Sequence, residues 1–175
     1  MPQCLDCMYQ QGNIGNGVID VESMAAPSPA VDICPGDFLV GDTSATGVVE
    51  AKLLSAFAWT TNLATTRTNA KAAFRGVSAG EYGTEECITQ EDCLPFWRYN
   101  KGNGFRRSYL IADDTGALAP TTFQQGQLFT FAKNPSSNAL VNTKIVKTSD
   151  ASVAVFRAVH DSGEDNVSRA MVEFY

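Results

Sequence analysis

The sequence has little histidine and little charge. His160 is the only histidine among 175 residues, so a metal site with two histidine ligands is excluded, and a Ser-His-Asp triad would have to use that residue. His160 lies between an apolar run and an acidic turn, which favours a surface position at the end of a strand. Charged residues make up 18% of the chain, below the roughly 25% of an average soluble domain. This composition suits a protein packed against other subunits, or an extracellular β protein.

Long apolar runs and catalytic motifs are missing as well. No run approaches the ~20 residues that a membrane-spanning helix needs, and residues 1–17 lack the basic and apolar regions of a signal peptide. The glycine motifs of nucleotide-binding loops and the nucleophile-elbow motif are absent. Neither an internal repeat nor a low-complexity tract is visible. We therefore predict that the chain is not an enzyme, uses no cofactor and does not enter a membrane.

Acidic residues outnumber basic ones, and they are unevenly spread. The chain has 19 Asp and Glu against 13 Lys and Arg, a net charge of −6, which opposes binding of nucleic-acid phosphates. Residues 1–60 contain seven acids and one base. Such asymmetry favours head-to-tail or arm-over-neighbour association between subunits, although a solvated acidic face explains it equally well.

Five cysteines leave three hypotheses open. Because the number is odd, a complete disulfide framework within one chain is excluded. Cys4, Cys7, Cys87 and Cys93 could hold a tetrahedral zinc ion, although only the first pair has finger-like spacing. One or two disulfides are the second hypothesis. Free and mostly buried thiols, the usual state in a reducing cytoplasm, are the third and the one we favour.

The chain divides into an arm and a body. Residues 1–35 are predicted to form an extended N-terminal arm with at most one short strand, at 18–21, because Pro27 and Pro29 force an extended backbone. Residues 36–175 are predicted to form a β-rich body, interrupted by one inserted loop at about 81–106. Long loops of this kind are usually binding surfaces or disordered.

One amphipathic helix is predicted at about 62–75. Leu63, Ala70 and Phe74 recur at helical spacing, Asn62 can cap the first turn, and Gly76 is a candidate for the C-terminal cap. The remaining apolar segments are short, partly alternating and separated by Gly, Asp and Asn turns, which indicates strands. We predict strands at 38–40, 48–54, 77–79, 107–112, 127–132, 144–147, 152–160 and 168–175. The fold class is therefore mainly β (α+β), with a small β-barrel or sandwich as the body.

Aromatic and basic residues mix at the end of the inserted loop. Such a mixture is typical of protein interfaces, where Trp, Tyr and Arg are enriched. It can also stack on nucleic-acid bases or sugars, but the net charge argues against nucleic acid. The predicted interface residues are Phe96, Trp97, Arg98, Tyr99, Phe105, Arg106 and Arg107.

The segment around the helix resembles a pattern in the capsid decoration (cement) proteins of tailed phages. The resemblance covers residues 36–80 well and 120–175 loosely. It rests on a Gly-Asp strand, a Trp-to-helix segment, a Gly-Val-Ser strand, a Gly-x-Leu strand and an apolar strand near the C-terminus. Its residues are Gly36–Val40, Trp59, Asn62–Ala64, Thr66, Phe74, Gly76–Ser78, Gly126–Leu128 and Val153–Val159.

The resemblance implies a virion structural protein of a bacteriophage. Such a protein binds the assembled shell and stabilises it by mass action. The implied partners are the major capsid protein and neighbouring copies of the chain, with a trimer as the natural form on a three-fold position. The implied location is the capsid surface of the virion, assembled in the host cytoplasm. Alternatives are a tail or connector component, a glycan- or receptor-binding β module, and a hydrolase whose acids are brought together by the fold.

Overall fold

A computed structural model describes most of the chain. The described residues are 21–25, 31–43, 49–78, 93–99 and 105–175, and for residues 21–25, 42–43, 49 and 93–95 they comprise the backbone alone. The predicted mainly β (α+β) fold is confirmed, because strands dominate the described residues and one α-helix accompanies them. No helix among these residues has the length and apolarity to cross a membrane.

The elements follow one another as short strands with one helical insertion. The strands are β1 (Val21–Ala25), β2 (Phe38–Thr43), β3 (Val49–Leu53), β4 (Phe74–Ser78), β5 (Cys93–Arg98), β6 (Arg107–Ala112), β7 (Leu128–Lys133), β8 (Leu140–Thr148), β9 (Phe156–Ala158) and β10 (Arg169–Phe174). A short 3-10 turn, Leu54–Ala56, follows β3, and the helix α1 (Leu63–Ala73) lies between that turn and β4.

The helix begins and ends where local chemistry requires. The Asn62 side chain accepts a hydrogen bond from Thr65 N at 2.9 Å and so caps the first turn. The predicted helix is thus confirmed, but Gly76 is not its C-terminal cap. Phe74 already has extended backbone and begins β4. Gly76 lies inside that strand. The position requires glycine because a Cβ there would overlap the carbonyl oxygen of Trp97.

The ten strands of the described residues form two rings of five. In the first ring the order of pairing is β1-β3-β2-β4-β5, and β5 pairs back with β1. In the second ring the order is β10-β6-β8-β7-β9, and β9 pairs back with β10. The strand β1 is parallel to β3, and β6 is parallel to β8. Every other pair is antiparallel. In the first ring that parallel pair consists of one residue pair, Ala25 with Glu50.

The two rings are copies of one pattern. If β1 to β5 are matched in order with β6 to β10, every pairing in one ring has its counterpart in the other. The register agrees as well. Four residue pairs show this. Leu39–Gly76 corresponds to Phe129–Phe156, and Val77–Trp97 corresponds to Arg157–Glu173. Glu22–Phe96 corresponds to Arg107–Val172, and Val40–Lys52 corresponds to Thr130–Val146. The chain therefore contains an internal structural repeat, which the sequence analysis did not detect.

The repeat has one large difference. Between β3 and β4 the first ring inserts α1, whereas β8 and β9 are joined by a short turned segment. Arg67 of α1 donates from Nε to Phe131 O of β7 at 2.9 Å and from Nη1 to Asp114 at 3.2 Å. The helix therefore helps to fasten the second ring to the first.

The buried core extends through both rings. The larger buried cluster draws on both, with Phe38, Val40, Phe74 and Val77 from the first ring and Tyr109, Phe131, Phe156 and Phe174 from the second among its members. The smaller cluster comprises Ile33, Leu39, Ala51 and Phe96. Leu39, Ala51 and Phe96 correspond by register to Phe129, Ile145 and Val172, which are buried as well. At these three positions the two rings therefore agree in burial although their residue types differ.

Two sequence-based boundaries need correction. The strand β1 pairs with β5 over five residues, and Ile33 is buried in the smaller cluster. These parts of the predicted arm at 1–35 therefore belong to the body, while residues 1–20 and 26–30 lie outside the described residues. The strand β5 lies within the predicted loop at 81–106. An apolar run interrupted by Pro95 gave no clear strand pattern, because proline is unusual inside a strand.

Candidate functional site at the joint between the rings

A tight turn from Cys34 to Asp37 forms the first half of the joint. Asp37 N donates to Cys34 O at 3.1 Å, and Gly36 has φ of 97°, which favours glycine. The carboxylate of Asp37 accepts from Cys34 N at 2.8 Å. Gly36 N donates to Ser78 O at 2.8 Å and Ser78 N to Asp37 O at 2.9 Å, so the turn is fixed to the end of β4.

The strand β6 of the second ring supplies the other half. Arg107 is 5% exposed, and its Nη2 donates to Pro35 O at 2.5 Å. Its guanidinium lies so close to Gly36 that a Cβ at that position would overlap it. Two residues along the strand, the Tyr109 hydroxyl donates to Gly36 O at 3.1 Å. Two carbonyl oxygens of one turn are thus bound by two side chains of one strand.

Asp37 is the most perturbed acid among the described residues. Burial raises its pKa from 3.8 to about 6, although the hydrogen bond from Cys34 N and the positive charge of Arg107 both act to lower it. A buried acid beside a buried arginine can serve catalysis, but here both groups contact the turn and strand that join the rings. The arrangement is suited to holding the rings together and to responding to pH.

The predicted interface residues do not form one exposed surface. Three of them, Phe96, Phe105 and Arg107, are buried. Phe96 packs in the smaller cluster, and Phe105 stacks on Phe174 with ring centroids 4.3 Å apart. The expectation that these three are exposed anchors is therefore corrected: aromatic and basic composition identified the segment, but the alternation along β5 and the joint with the turn decide which side chains point inward.

The other four predicted interface residues reach the surface to different degrees. Trp97 and Tyr99 are half-buried, and Arg98 is exposed. The Tyr99 hydroxyl donates to Tyr175 O at 2.9 Å, and burial raises the pKa of Tyr99. Arg106 has a side chain that is 52% exposed and lies 3.6 Å from Glu173.

Sequence reasoning missed part of this surface. Arg157 contacts the same Glu173 carboxylate at 2.6 Å, so one half-buried acid lies between two exposed arginines. It also missed Asp37 and Tyr109 at the joint. The Pro35-Gly36 turn signal was visible, but nothing in the sequence relates that turn to a strand seventy residues later.

The remaining predicted site residues have simpler outcomes. His160 is exposed at the end of β9, as predicted. Cys34 is disulfide-bonded, so the favoured expectation of free thiols is wrong for this residue. The side chains of Cys4, Cys7, Cys87 and Cys93 lie outside the described residues, and the zinc hypothesis stays a prediction. Within the described ranges, no three metal-ligating side chains cluster.

Comparisons with known proteins add no relative. No protein-family model, no curated protein and no solved structure matches this chain.

Proposed function

We propose that the chain is a non-enzymatic structural protein of a phage virion, a decoration protein that binds the assembled capsid shell and stabilises it through subunit contacts. The proposal starts from the resemblance at residues 36–80 and from the two-ring body, and it assigns the binding energy to surface contacts.

The observation that carries the proposal is the structural role of the resembling residues. Asn62 caps α1, Phe74 enters the shared core, and Gly76 allows the close approach of Trp97 O. Gly36 forms the turn at the joint. These residues build one continuous part of the body, so a protein that shares the pattern would share this part of the fold. This supports a common architecture with decoration proteins.

A second support is the use of the buried polar groups. Arg107 and Tyr109 of the second ring bind carbonyl oxygens of the first ring's turn, and Asp37 holds that turn through its bond from Cys34 N, so these groups join the rings. Such a joint suits a rigid body that transmits load between neighbouring subunits. The exposed part of the predicted interface, Arg98 and Arg106 with Arg157 beside it, offers cations to an acidic partner surface.

The first experiment is quantitative mass spectrometry of purified particles of the source phage. We expect a ratio of this chain to the major shell protein near one-to-one. A handful of copies per particle would instead indicate a tail, connector or vertex component. Absence from the particle would refute a virion role and favour the glycan-binding module or the hydrolase.

A rebinding assay tests the surface. Purified chain carrying Arg106→Glu is added to shells that lack it, and bound protein is measured by co-sedimentation. We expect weaker binding and a shallower salt dependence than for Lys147→Glu, a matched charge reversal at an exposed position on β8, because an attraction that salt screens is lost. Equal binding by both variants would remove the arginine surface from the proposal.

A further inference from the structure

The second ring contains a counterpart of the joint's turn. Gln127 N donates to Gln124 O at 3.0 Å, as Asp37 N does to Cys34 O. Gly126 has φ of 84°, and its N donates to Ala158 O at 2.9 Å, as Gly36 N does to Ser78 O. The two turns therefore present the same backbone groups at the same place in the repeat.

The surroundings of the two turns differ. The first is covered by Arg107, whereas 124–126 are exposed, and a Cβ built on Gly126 would meet no atom within 4 Å. The carbonyl oxygens of Gln125 and Gly126 correspond to those that bind Arg107 and Tyr109. In the part of the chain that the structure describes, no donor reaches them.

Each turn also has a carboxylate beside it. In the first turn it is Asp37. The corresponding Gln127 is uncharged, and its amide donates to Leu128 O at 3.1 Å and Thr148 O at 2.9 Å. The second turn has Asp161 instead, whose carboxylate accepts from Gln125 N at 2.5 Å and is exposed. The second turn thus has two carbonyl oxygens, an open glycine face and an acid, but no cation bound to them among the described residues.

We propose that the turn Gln124–Gln127 and Asp161 form a binding site for an arginine side chain of a partner protein, presented from an extended strand as β6 presents Arg107. A guanidinium is planar and can lie on the glycine while donating to a carbonyl oxygen and to the carboxylate. An ammonium group can donate to both acceptors but has no planar face to lie on the glycine. The site follows from the repeat and does not depend on a virion role.

The test uses the strand that already occupies the first turn. A capped peptide with the sequence of residues 105–110, Phe-Arg-Arg-Ser-Tyr-Leu, is titrated into isotopically labelled full-length protein. We expect amide shifts to change at Gln125, Gly126 and Asp161. Replacing the arginine that corresponds to Arg107 by lysine should weaken binding, and replacing it by glutamine should abolish it.

Two variants of the protein make the test specific. Asp161→Asn keeps an acceptor for Gln125 N but removes the charge, and we expect about a tenfold weaker affinity. Glu164→Gln, an exposed acid of the same loop, should leave the affinity unchanged. The proposal is overturned if the shifts appear at Gly36 instead, if the glutamine peptide binds equally well, or if the turn does not respond at millimolar peptide.

Discussion

The two rings share a topology and a register, but corresponding positions differ in residue type and in burial. At the joint, the first ring presents Phe38 and Val77, whereas the corresponding positions of the second ring are the half-buried Leu128 and the exposed Arg157. The second ring presents Phe156 and Phe174, where the first has Gly76 and the exposed Arg98. At these four matched positions, therefore, a side chain that is buried in one ring is replaced by a glycine or by a more exposed side chain in the other.

This difference matches a general feature of repeat proteins. Repeat proteins bury an apolar face between neighbours and need polar outer faces at their ends. The two rings have the same backbone pairing. They differ in which of the corresponding positions are buried and apolar.

The largest loss of stability should come from Phe38, in the aromatic cluster that both rings share. Phe38 has ring contacts with Phe74, Tyr109, Phe131 and Phe156. We expect Phe38→Ala to lower the free energy of unfolding by about 4 kcal/mol, because a buried aromatic is lost and a cavity is left. The register-matched control Leu128→Ala should cost about 1–2 kcal/mol, since that side chain is half-buried. Denaturant titration measures both, and similar losses would contradict the placement of Phe38 in the shared core.

The next largest effect concerns Arg107, whose positive charge acts on Asp37 at the joint. Arg107→Met keeps the volume but removes the charge near Asp37 and the hydrogen bond to Pro35 O. We expect a loss of about 3 kcal/mol, because a buried partner is left uncompensated. Arg157→Met, at an exposed arginine of β9, should cost at most about 1 kcal/mol. Adding Asp37→Asn should recover part of the Arg107→Met loss, and strict additivity would mean that the two groups do not interact.

The pH dependence of stability should depend on Asp37. Its pKa is about 6 in the folded protein, above the ordinary 3.8, so the folded state binds a proton more tightly than the unfolded state. The contribution of Asp37 to stability is therefore full below about pH 4 and is lost as the pH rises to about 6. A pKa difference of this size corresponds to about 3 kcal/mol. The second ring has an uncharged glutamine, Gln127, at this position and lacks the effect.

Asp37→Asn is the variant that isolates this contribution. Its amide oxygen can still accept from Cys34 N, but it does not titrate. We expect the stability of the variant relative to the natural protein to rise between pH 4 and pH 6, as measured by urea unfolding at each pH. The lowered pKa values of the exposed acids Asp113 and Asp150 affect both proteins equally and cancel in the difference. Parallel profiles would show that Asp37 does not titrate in this range.

The sequence predicted what depends on neighbours along the chain. Asn62, the apolar spacing after it and the alternation of Ala170, Val172 and Phe174 located α1 and β10, because capping and periodicity are local. The same reasoning missed β5, whose Pro95 breaks the pattern, and shortened β8, whose middle is half-buried. Local rules fail where pairing with distant strands decides the conformation.

The repeat and the joint depend on contacts far apart in sequence. Corresponding residues of the two rings differ in type, as Leu39 and Phe129 or Gly76 and Phe156 do, so no self-similarity was visible. Arg107 was assigned to an interface because aromatic and basic residues mix in its segment, as they do at protein interfaces. Its partner turn follows Cys34, and only the fold brings the two together.

The smallest expected effect gives the sharpest comparison of the two rings. Gly36 and Gly126 occupy the same place in the same turn, with φ of 97° and 84°. Replacement by alanine at either position forces a non-glycine residue into the left-handed region, at a cost of about 1–2 kcal/mol. At Gly36 the new methyl group would also overlap the guanidinium of Arg107, whereas at Gly126 it would meet open space. We therefore expect Gly36→Ala to be less stable than Gly126→Ala by about 2 kcal/mol, the cost of overpacking a buried contact. Thermal and urea unfolding of the two variants measure this difference. In the background of Arg107→Met, whose side chain is flexible, the gap should narrow, and a gap that stays unchanged would mean that the arginine does not rest on the glycine.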